Sequence, residues 1–215
     1  MAQVWILAEP DSVAEAAVAV LKEAIAQCPT TSAPDTVRVI APADLPPEVD
    51  PGDILCPLTL ALPHTLVFPG AAVFRACADV DSLRQSVASR FGVQPGDGSF
   101  WLPIALTAKG PLYGEAIAPA TDSSEQYRQP YHLSDRQRQP LYALAFRLLD
   151  WLQAPPSVYL LQFALSNDGV LFNRLWPYPA AGAIASLSVQ TPDLFTAHWL
   201  CLSHQPLLDL SIPSK

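Results

Sequence analysis

A turn between two apolar segments constrains this chain more than any other feature of its sequence. Residues 158–165 form an almost continuous apolar run, interrupted by Gln162, and residues 170–172 form a second run. The sequence Ser-Asn-Asp-Gly at 166–169 separates them. Because an Asp-Gly pair between two apolar runs is typical of a tight hairpin turn, the pattern predicts two antiparallel strands.

The segment after this predicted hairpin indicates a helix. Trp-Pro-Tyr-Pro at 176–179 leads into a stretch of small residues, and Thr191, Pro192 and Asp193 follow. Thr can cap a helix, Pro suits its first turn, and Asp favours its positively charged end. We therefore expect a helix from about residue 192 to residue 202.

The first sixty residues have the pattern of a small α/β unit. Three apolar segments predict strands, at residues 4–8, 37–40 and 54–58. Ser-Val-Ala-Glu at 12–15 has the form of a capping box and opens an amphipathic helix to about Gln27. The order predicts a Rossmann-like unit over residues 1–62 and a larger domain over residues 63–215.

The turn after the first predicted strand does not have the composition of a phosphate-binding loop. It carries Glu9 and Asp11 and no glycine. Backbone amides of a glycine-rich turn cradle phosphates, whereas an acidic pair repels them. A nucleotide phosphate is therefore not expected at this turn.

The middle of the chain alternates apolar and polar segments. Strands are predicted at residues 66–68, 72–74, 101–107 and 112–117, and a helix at 81–90. Residues 118–131 turn polar and are expected to run over the surface. A capping-box sequence at 134–137 opens a second helix, in which Pro140 either causes a kink or belongs to the true first turn.

Composition excludes several classes of protein. Half of the residues are apolar and 15% are charged, which argues against a disordered chain. The net charge of −8, with no basic stripe, argues against nucleic acid as the main partner. No apolar run suits a signal peptide or a membrane span, so we expect a cytoplasmic protein without membrane association. The four cysteines lack the spacing of a zinc site or a disulfide framework.

The order of features over residues 158–202 resembles the C-terminal end of the ATP-grasp domain in the carboxyaminoimidazole ribonucleotide synthetase family. That family's pattern is roughly VE-[LM]-F-x3-DG-x-[LV]-x-NE-x-x-PRP-HNSGH, followed by a helix with F-x-x-H. Pro177 and Pro179 match the prolines of PRP, and Phe195 and His198 have the helix spacing. With the preceding predicted hairpin and helix, the resemblance covers roughly residues 100–204.

The resemblance implies a fold and a chemistry. The fold is α/β, a small N-terminal unit followed by a truncated ATP-grasp-like lobe of sheet and helices. In the family, ATP activates a carboxylate or bicarbonate as an acyl phosphate, and magnesium neutralises the transferring phosphoryl group. The resemblance assigns the metal to the Glu of VE and to the Asn and Glu of NE, which are hard oxygen ligands.

The chain departs from the family pattern at the positions that carry charge. Gln162 stands at the first Glu, Asn173 is retained, and Arg174 stands at the second Glu. Two anionic ligands are thereby lost. Tyr178 stands at the Arg of PRP, and the apolar residues 180–184 replace HNSGH, so a phosphate site is not recovered.

The lysines that grip the phosphates of ATP are also missing from the middle of the chain. Lys109 is the only lysine between Lys22 and Lys215. These departures favour a non-catalytic binding or regulatory module that uses no cofactor and no metal. Its partner would be another protein or a small-molecule ligand, which the sequence does not identify.

Two alternatives stay open. A divergent ATP-dependent carboxylate–amine ligase or carboxylase could recruit Glu115, Asp168 or Asp193 as metal ligands. A structural subunit of a larger assembly could use its acidic surface, with Trp176 and Trp199, as contacts to other subunits.

Overall fold

The computed structural model describes residues 3–28, 36–46, 49–120, 123–167 and 169–213. The strands are β1 (Gln3–Leu7), β2 (Thr36–Ile40), β3 (Ile54–Pro57), β4 (Phe100–Thr107), β5 (Gly110–Tyr113), β6 (Ala116–Ala120), β7 (Ser123–Tyr131), β8 (Ser157–Ser166) and β9 (Gly169–Trp176). The helices are α1 (Ser12–Gln27), α2 (Ala71–Ala78), α3 (Val80–Phe91), α4 (Asp135–Trp151) and α5 (Leu194–Leu202), with 3₁₀ turns at Pro42–Asp44 and Ala181–Ser186.

The N-terminal sheet is parallel, with strand order β2-β1-β3, and it confirms the three strands predicted there. Helix α1 supplies the crossover that two parallel strands require. Its N-cap is Asp11, whose carboxylate accepts a hydrogen bond from the Ala14 amide at 2.8 Å. The predicted capping box at Ser12 is therefore placed one residue too late, since Asp is as good a cap as Ser.

The larger sheet has the strand order β7-β6-β4-β8-β9, with β5 paired to β4. These pairs are antiparallel. The β8–β9 hairpin predicted from the two apolar runs is confirmed, with Ser166 opposite Gly169 at its closed end. Asp168, the predicted turn residue, lies outside the described residues.

Several predictions for the middle of the chain are wrong. Residues 72–74 lie in α2, where their burial follows a helical face, and residues 66–68 form no strand. The predicted strand at 112–117 is divided into β5 and β6, which both pair with β4. Residues 118–120 and 123–131 do not form an irregular loop, because the end of β6 pairs with β7 there. Backbone pairing at the sheet edge forms this strand despite its polar composition.

The helix predicted after residue 134 is confirmed as α4, and Pro140 lies within it. The Gln137 side chain accepts a hydrogen bond from the Ser134 amide at 3.0 Å, as the capping-box sequence predicts. Among the described residues, no helix has both the length and the apolar composition needed to cross a bilayer.

Two hydrophobic clusters lie on opposite faces of the larger sheet, because successive residues of a strand point to opposite sides. On β8, Val158 and Leu160 pack with β1, α1 and α5, whereas Tyr159 and Leu161 pack with α2, α3 and α4. The first cluster therefore contains residues from both sheets. Trp199 on α5 donates a hydrogen bond to the carbonyl of Cys28 at 2.8 Å, which joins α5 to the end of α1. The domain boundary after residue 62 stays a prediction.

Candidate functional site

The β8–β9 hairpin places the predicted metal positions side by side. Gln162 lies opposite Arg174, and the next pair along the ladder is Phe163 with Phe172. Asn173 is therefore the extra residue of a β-bulge. Such a bulge redirects side chains, and here the side chains of Gln162 and Asn173 both reach the same carbonyl group.

That carbonyl group belongs to Gly98, in the segment before β4. The side-chain amides of Gln162 and Asn173 donate to it at 2.7 and 2.9 Å. The Gln162 oxygen accepts a hydrogen bond from the Trp176 indole at 3.2 Å. Both ends of the Gln162 amide are thus held by other parts of the protein.

The segment 94–98 lies tightly against the hairpin. The Gly96 amide donates to the carbonyl of Phe172 at 2.9 Å, and the Phe172 amide donates to the carbonyl of Gln94 at 2.9 Å. A Cβ atom at Gly98 would lie 2.1 Å from the carbonyl oxygen of Phe163, which is backbone and cannot move aside. Only glycine fits at this position.

Arg84 on α3 binds the oxygens of Asn173. Its Nε donates to the Asn173 carbonyl at 2.8 Å, and its Nη2 donates to the Asn173 side-chain oxygen. The same Nη2 forms an ion pair with Asp97 at 2.8 Å. Asn173 is the one metal-ligand position of the resembled pattern that keeps its residue type, and its side-chain oxygen faces a guanidinium group.

The described residues at positions 162, 173 and 174 do not fit a magnesium ion. In the part of the chain that the structure describes, no group of three or more His, Cys, Asp or Glu side chains could hold a metal. Asp193 caps α5 through the amides of Phe195 and Thr196, at 2.9 and 3.1 Å, so Thr191 is not the cap predicted for this helix. The Oε2 atom of Glu115 lies 3.7 Å from the Nδ1 atom of His132. Asp168 falls outside the described residues.

A cavity of about 280 Å³ lies between the N-terminal sheet and the β8–β9 hairpin. On one side it is bounded by the residues that follow β1 and β3, and on the other by the segment after β9. Ligands of open α/β sheets bind outside the carboxyl ends of parallel strands, and the cavity has that location. Its lining residues are Glu9, Asp11, Ala14, Ala17, Leu58, Thr59, Trp101, Trp176, Tyr178, Pro179, Ala180, Ala181, Ile184 and Phe195.

Tyr178 and the small residues after it belong to this cavity, whereas Gln162, Asn173 and Arg174 do not line it. The residues that the sequence pattern assigned to one site therefore lie in two places, on the hairpin and in the cavity. The Tyr178 ring packs against Phe74 and Trp176, at centroid distances of 6.1 and 5.9 Å. Burial raises the pKa of the Tyr178 phenol far above its ordinary value, so the side chain is neutral.

Sequence reasoning did not place Trp101 or the Glu9–Asp11 pair in this site. Trp101 is on β4, with its ring centroid 6.1 Å from that of Trp176. A Cβ atom at Gly182 would lie 3.0 Å from the Trp101 ring, so the indole lies directly on the backbone there. The parallel strand order would have indicated that the turn after β1 lies at a crevice, but the partner across the crevice is set by tertiary packing.

The environment of His198 on α5 indicates a structural role. Its Nδ1 accepts a hydrogen bond from the Val158 amide at 3.3 Å and lies 3.2 Å from the Ser157 hydroxyl oxygen. The ring is therefore neutral, with its proton on Nε2, and Nε2 has no hydrogen-bond partner among the described residues. Burial lowers the pKa of His198 to about 3. A buried neutral imidazole of this kind holds α5 against β8.

Comparison with solved structures shows an ATP-grasp-like fold. The chain is similar to glycinamide-RNase-transformylase T from Mycobacterium tuberculosis, with a TM-score of 0.72 and 18% identity over 95% of this chain and 80% of that one. It is also similar to N5-carboxyaminoimidazole ribonucleotide synthetase from Thermotoga maritima, with a TM-score of 0.73 and 11% identity over 99% and 78% of the two chains. For the Staphylococcus aureus N5-carboxyaminoimidazole synthetase complexed with ADP, the TM-score is 0.74 and the identity 8%, over 98% and 79%.

These likenesses confirm the predicted α/β fold class and the resemblance to an ATP-grasp architecture. They extend over nearly the whole chain, and so beyond the roughly residues 100–204 that carry the sequence resemblance. At identities of 8–18% they show the fold alone. No protein-family model matches the sequence, and no curated protein matches it.

Proposed function

We propose that this protein is a non-catalytic module with an ATP-grasp-derived fold, which binds a ligand or partner without using magnesium or ATP. The observation that carries the proposal is the contact between Arg84 and Asn173. The Arg84 guanidinium donates to both the carbonyl and the side-chain oxygen of Asn173. The oxygen that the resembled pattern offers to a metal is therefore bound to a permanent cation.

Electrostatics supports this proposal. A unit charge about 4 Å from another costs roughly 4 kcal/mol near a protein surface when the signs agree, and a divalent ion costs about twice as much. The Arg84 side chain is 24% exposed, and its hydrogen bonds to Asn173 place its guanidinium beside this position. A metal ion at Asn173 would have to displace this arginine and overcome its charge.

The hydrogen bonding of Gln162 supports the same conclusion. A side-chain amide can replace a carboxylate as a metal ligand only through its oxygen. That oxygen accepts a hydrogen bond from Trp176, while the nitrogen donates to Gly98. The amide is a bridge between β9 and the segment before β4, and the hairpin is stabilised by it.

The cavity beside the hairpin supports a binding role. Its walls are largely aromatic and aliphatic, and it lies at the carboxyl ends of β1 and β3. A concave, mostly apolar site with a few polar groups is the usual form of a small-molecule site. We infer that a ligand of this cavity, or a protein partner that responds to it, carries the function.

A combined melting and turnover experiment tests the proposal. We expect no rise in melting temperature with MgATP, because a ligand stabilises only a state that binds it. We also expect no ADP or phosphate release with bicarbonate and candidate amines. An N5-carboxyaminoimidazole ribonucleotide synthetase under the same conditions is the positive control. ADP release that is abolished by Glu115→Gln or Asp193→Asn would instead support a divergent ligase.

A further inference from the structure

The charged side chains that line the cavity between the two sheets have one sign. Among the described residues that line it, Glu9 and Asp11 are acidic and none is basic. Both acidic side chains are exposed at its rim. We propose that this cavity binds a small organic cation with an apolar body, such as an aromatic or quaternary amine. The inference deepens the proposed function, since it names the ligand class of the same module.

The aromatic walls suit such a cation. The Trp101 and Trp176 rings are tilted by 35°, and Tyr178 meets Trp176 edge to face at 82°. The face of an aromatic ring carries negative potential and attracts ammonium and guanidinium groups. The Trp176 ring already holds a cation, because the Arg174 guanidinium lies 4.7 Å from its centroid. Arg174 itself does not line the cavity.

The rim carboxylates add a charge attraction in the same direction. Glu9 and Asp11 follow β1 and lie across the cavity from the segment after β9. A cation in the cavity would lie between an aromatic wall and an acidic rim, and both attract it.

The same surroundings disfavour an anion. In the resembled pattern an Arg and the HNSGH stretch occupy the positions of Tyr178 and residues 180–184. Here the phenol is neutral and the stretch is Ala-Ala-Gly-Ala-Ile. A phosphate or carboxylate would face two like charges without any basic side chain among the described lining residues. The volume of about 280 Å³ is at the small end for ligand sites and suits a molecule with one ring.

Calorimetric titration with benzyltrimethylammonium tests the proposal. We expect saturable one-site binding at low ionic strength, together with a change in tryptophan fluorescence. Benzenesulfonate and inorganic phosphate are the matched anions, and we expect no saturable binding from either. Tighter binding of benzenesulfonate than of benzyltrimethylammonium would overturn the proposal, as would the absence of saturable binding by the cation.

Variants at the cavity rim test whether the cation binds this site or is attracted only by the net negative charge of the protein. Glu9→Gln with Asp11→Asn should weaken binding about tenfold, and Asn preserves the helix cap of α1. Glu23→Gln, on an exposed position of α1 outside the cavity, is the control and should change the affinity little. Equal affinity in the double variant and the native protein would contradict the proposal.

A second variant blocks the cavity without disturbing the core. Ala181 is exposed and lines the rim, so Ala181→Lys places a positive charge there while the protein stays folded, as circular dichroism can verify. We expect loss of detectable benzyltrimethylammonium binding, and retained binding would overturn the proposal. The MgATP experiment has an independent outcome. Failure of the cation titration alone refutes this inference, whereas MgATP binding refutes the proposed function.

Discussion

Arg84 on α3 forms two hydrogen bonds with Asn173 on β9, from its Nε to the carbonyl at 2.8 Å and from its Nη2 to the side-chain oxygen. This contact joins a helix to the bulged strand at the point where the resembled pattern has a metal ligand. The positive charge that a metal would supply is present as a guanidinium group. This guanidinium therefore contributes to the stability of the hairpin.

Removal of this guanidinium should destabilise the protein. Arg84→Met loses two charge-assisted hydrogen bonds to Asn173, and we expect the free energy of unfolding to fall by about 1–3 kcal/mol. Urea denaturation measures the change. Arg136→Met is the control, because Arg136 is exposed on α4, and it should alter stability by less than about 0.5 kcal/mol. Equal effects of the two substitutions would show that the Arg84 contact contributes nothing specific.

Gly98 should be intolerant of any side chain. In Gly98→Ala the new Cβ would lie 2.1 Å from the backbone oxygen of Phe163, so the segment must move away from the hairpin. We expect a loss of about 4 kcal/mol or more, or failure to fold. Gly52→Ala is the matched control, since a Cβ there meets nothing within 4 Å. Thermal unfolding compares the two, and a melting temperature of Gly98→Ala within a degree or two of the control, about what a few tenths of a kcal/mol produce, would contradict this packing.

His198 should make stability depend on pH below neutrality. Burial lowers its pKa from 6.5 to about 3, so the unfolded chain binds a proton in this range and the folded protein does not. Its contribution is fully present above about pH 6.5 and is lost as the pH falls toward about 3. At about pH 4.5 we expect this residue to cost roughly 2–3 kcal/mol relative to neutral pH.

Denaturant titrations at two pH values isolate this effect. His198→Gln removes the titrating group, so the difference in unfolding free energy between about pH 7 and about pH 4.5 should be smaller than in the native protein. The carboxylates titrate in both proteins, so their contributions to the pH dependence cancel in the comparison. An unchanged pH dependence in the variant would mean that His198 is not buried in its neutral form.

Three of the four cysteines should be unreactive in the folded protein. Cys56, Cys77 and Cys201 are buried, and burial raises the pKa of each thiol to about 12. Since the thiolate is the reactive form, modification by an aromatic disulfide at neutral pH should be limited to half-buried Cys28 until the protein unfolds. Rapid modification of all four thiols under native conditions would refute this burial.

The sequence predicted the elements with strong local signals. The β8–β9 hairpin, α1, α3 and α4 follow from apolar periodicity and capping residues, and the structure confirms them. The sequence-based predictions failed where tertiary pairing decides which element forms. The polar strand β7 exists because it pairs with β6, and α2 contains a segment too short to distinguish a helix from a strand by composition.

The sequence pattern predicted the positions of the candidate site on the hairpin but not the contacts around them. Gln162, Asn173 and Arg174 are adjacent on the hairpin, as their spacing indicates. Their hydrogen-bond partners, Gly98 and Arg84, come from segments more than sixty residues earlier, which no local pattern links to them. Tyr178 lines a separate cavity with residues that follow β1. The chemistry of the site therefore depends on contacts that only the fold provides.

A calorimetric titration of the native protein with MgATP tests the central claim most directly. If the hairpin has lost its metal and nucleotide site, no saturable heat should appear at nucleotide concentrations up to about 1 mM. Arg84→Met should behave identically, because Gln162 and Arg174 still supply no anionic ligand. Saturable one-site binding of MgATP by the native protein, dependent on magnesium, would contradict the account.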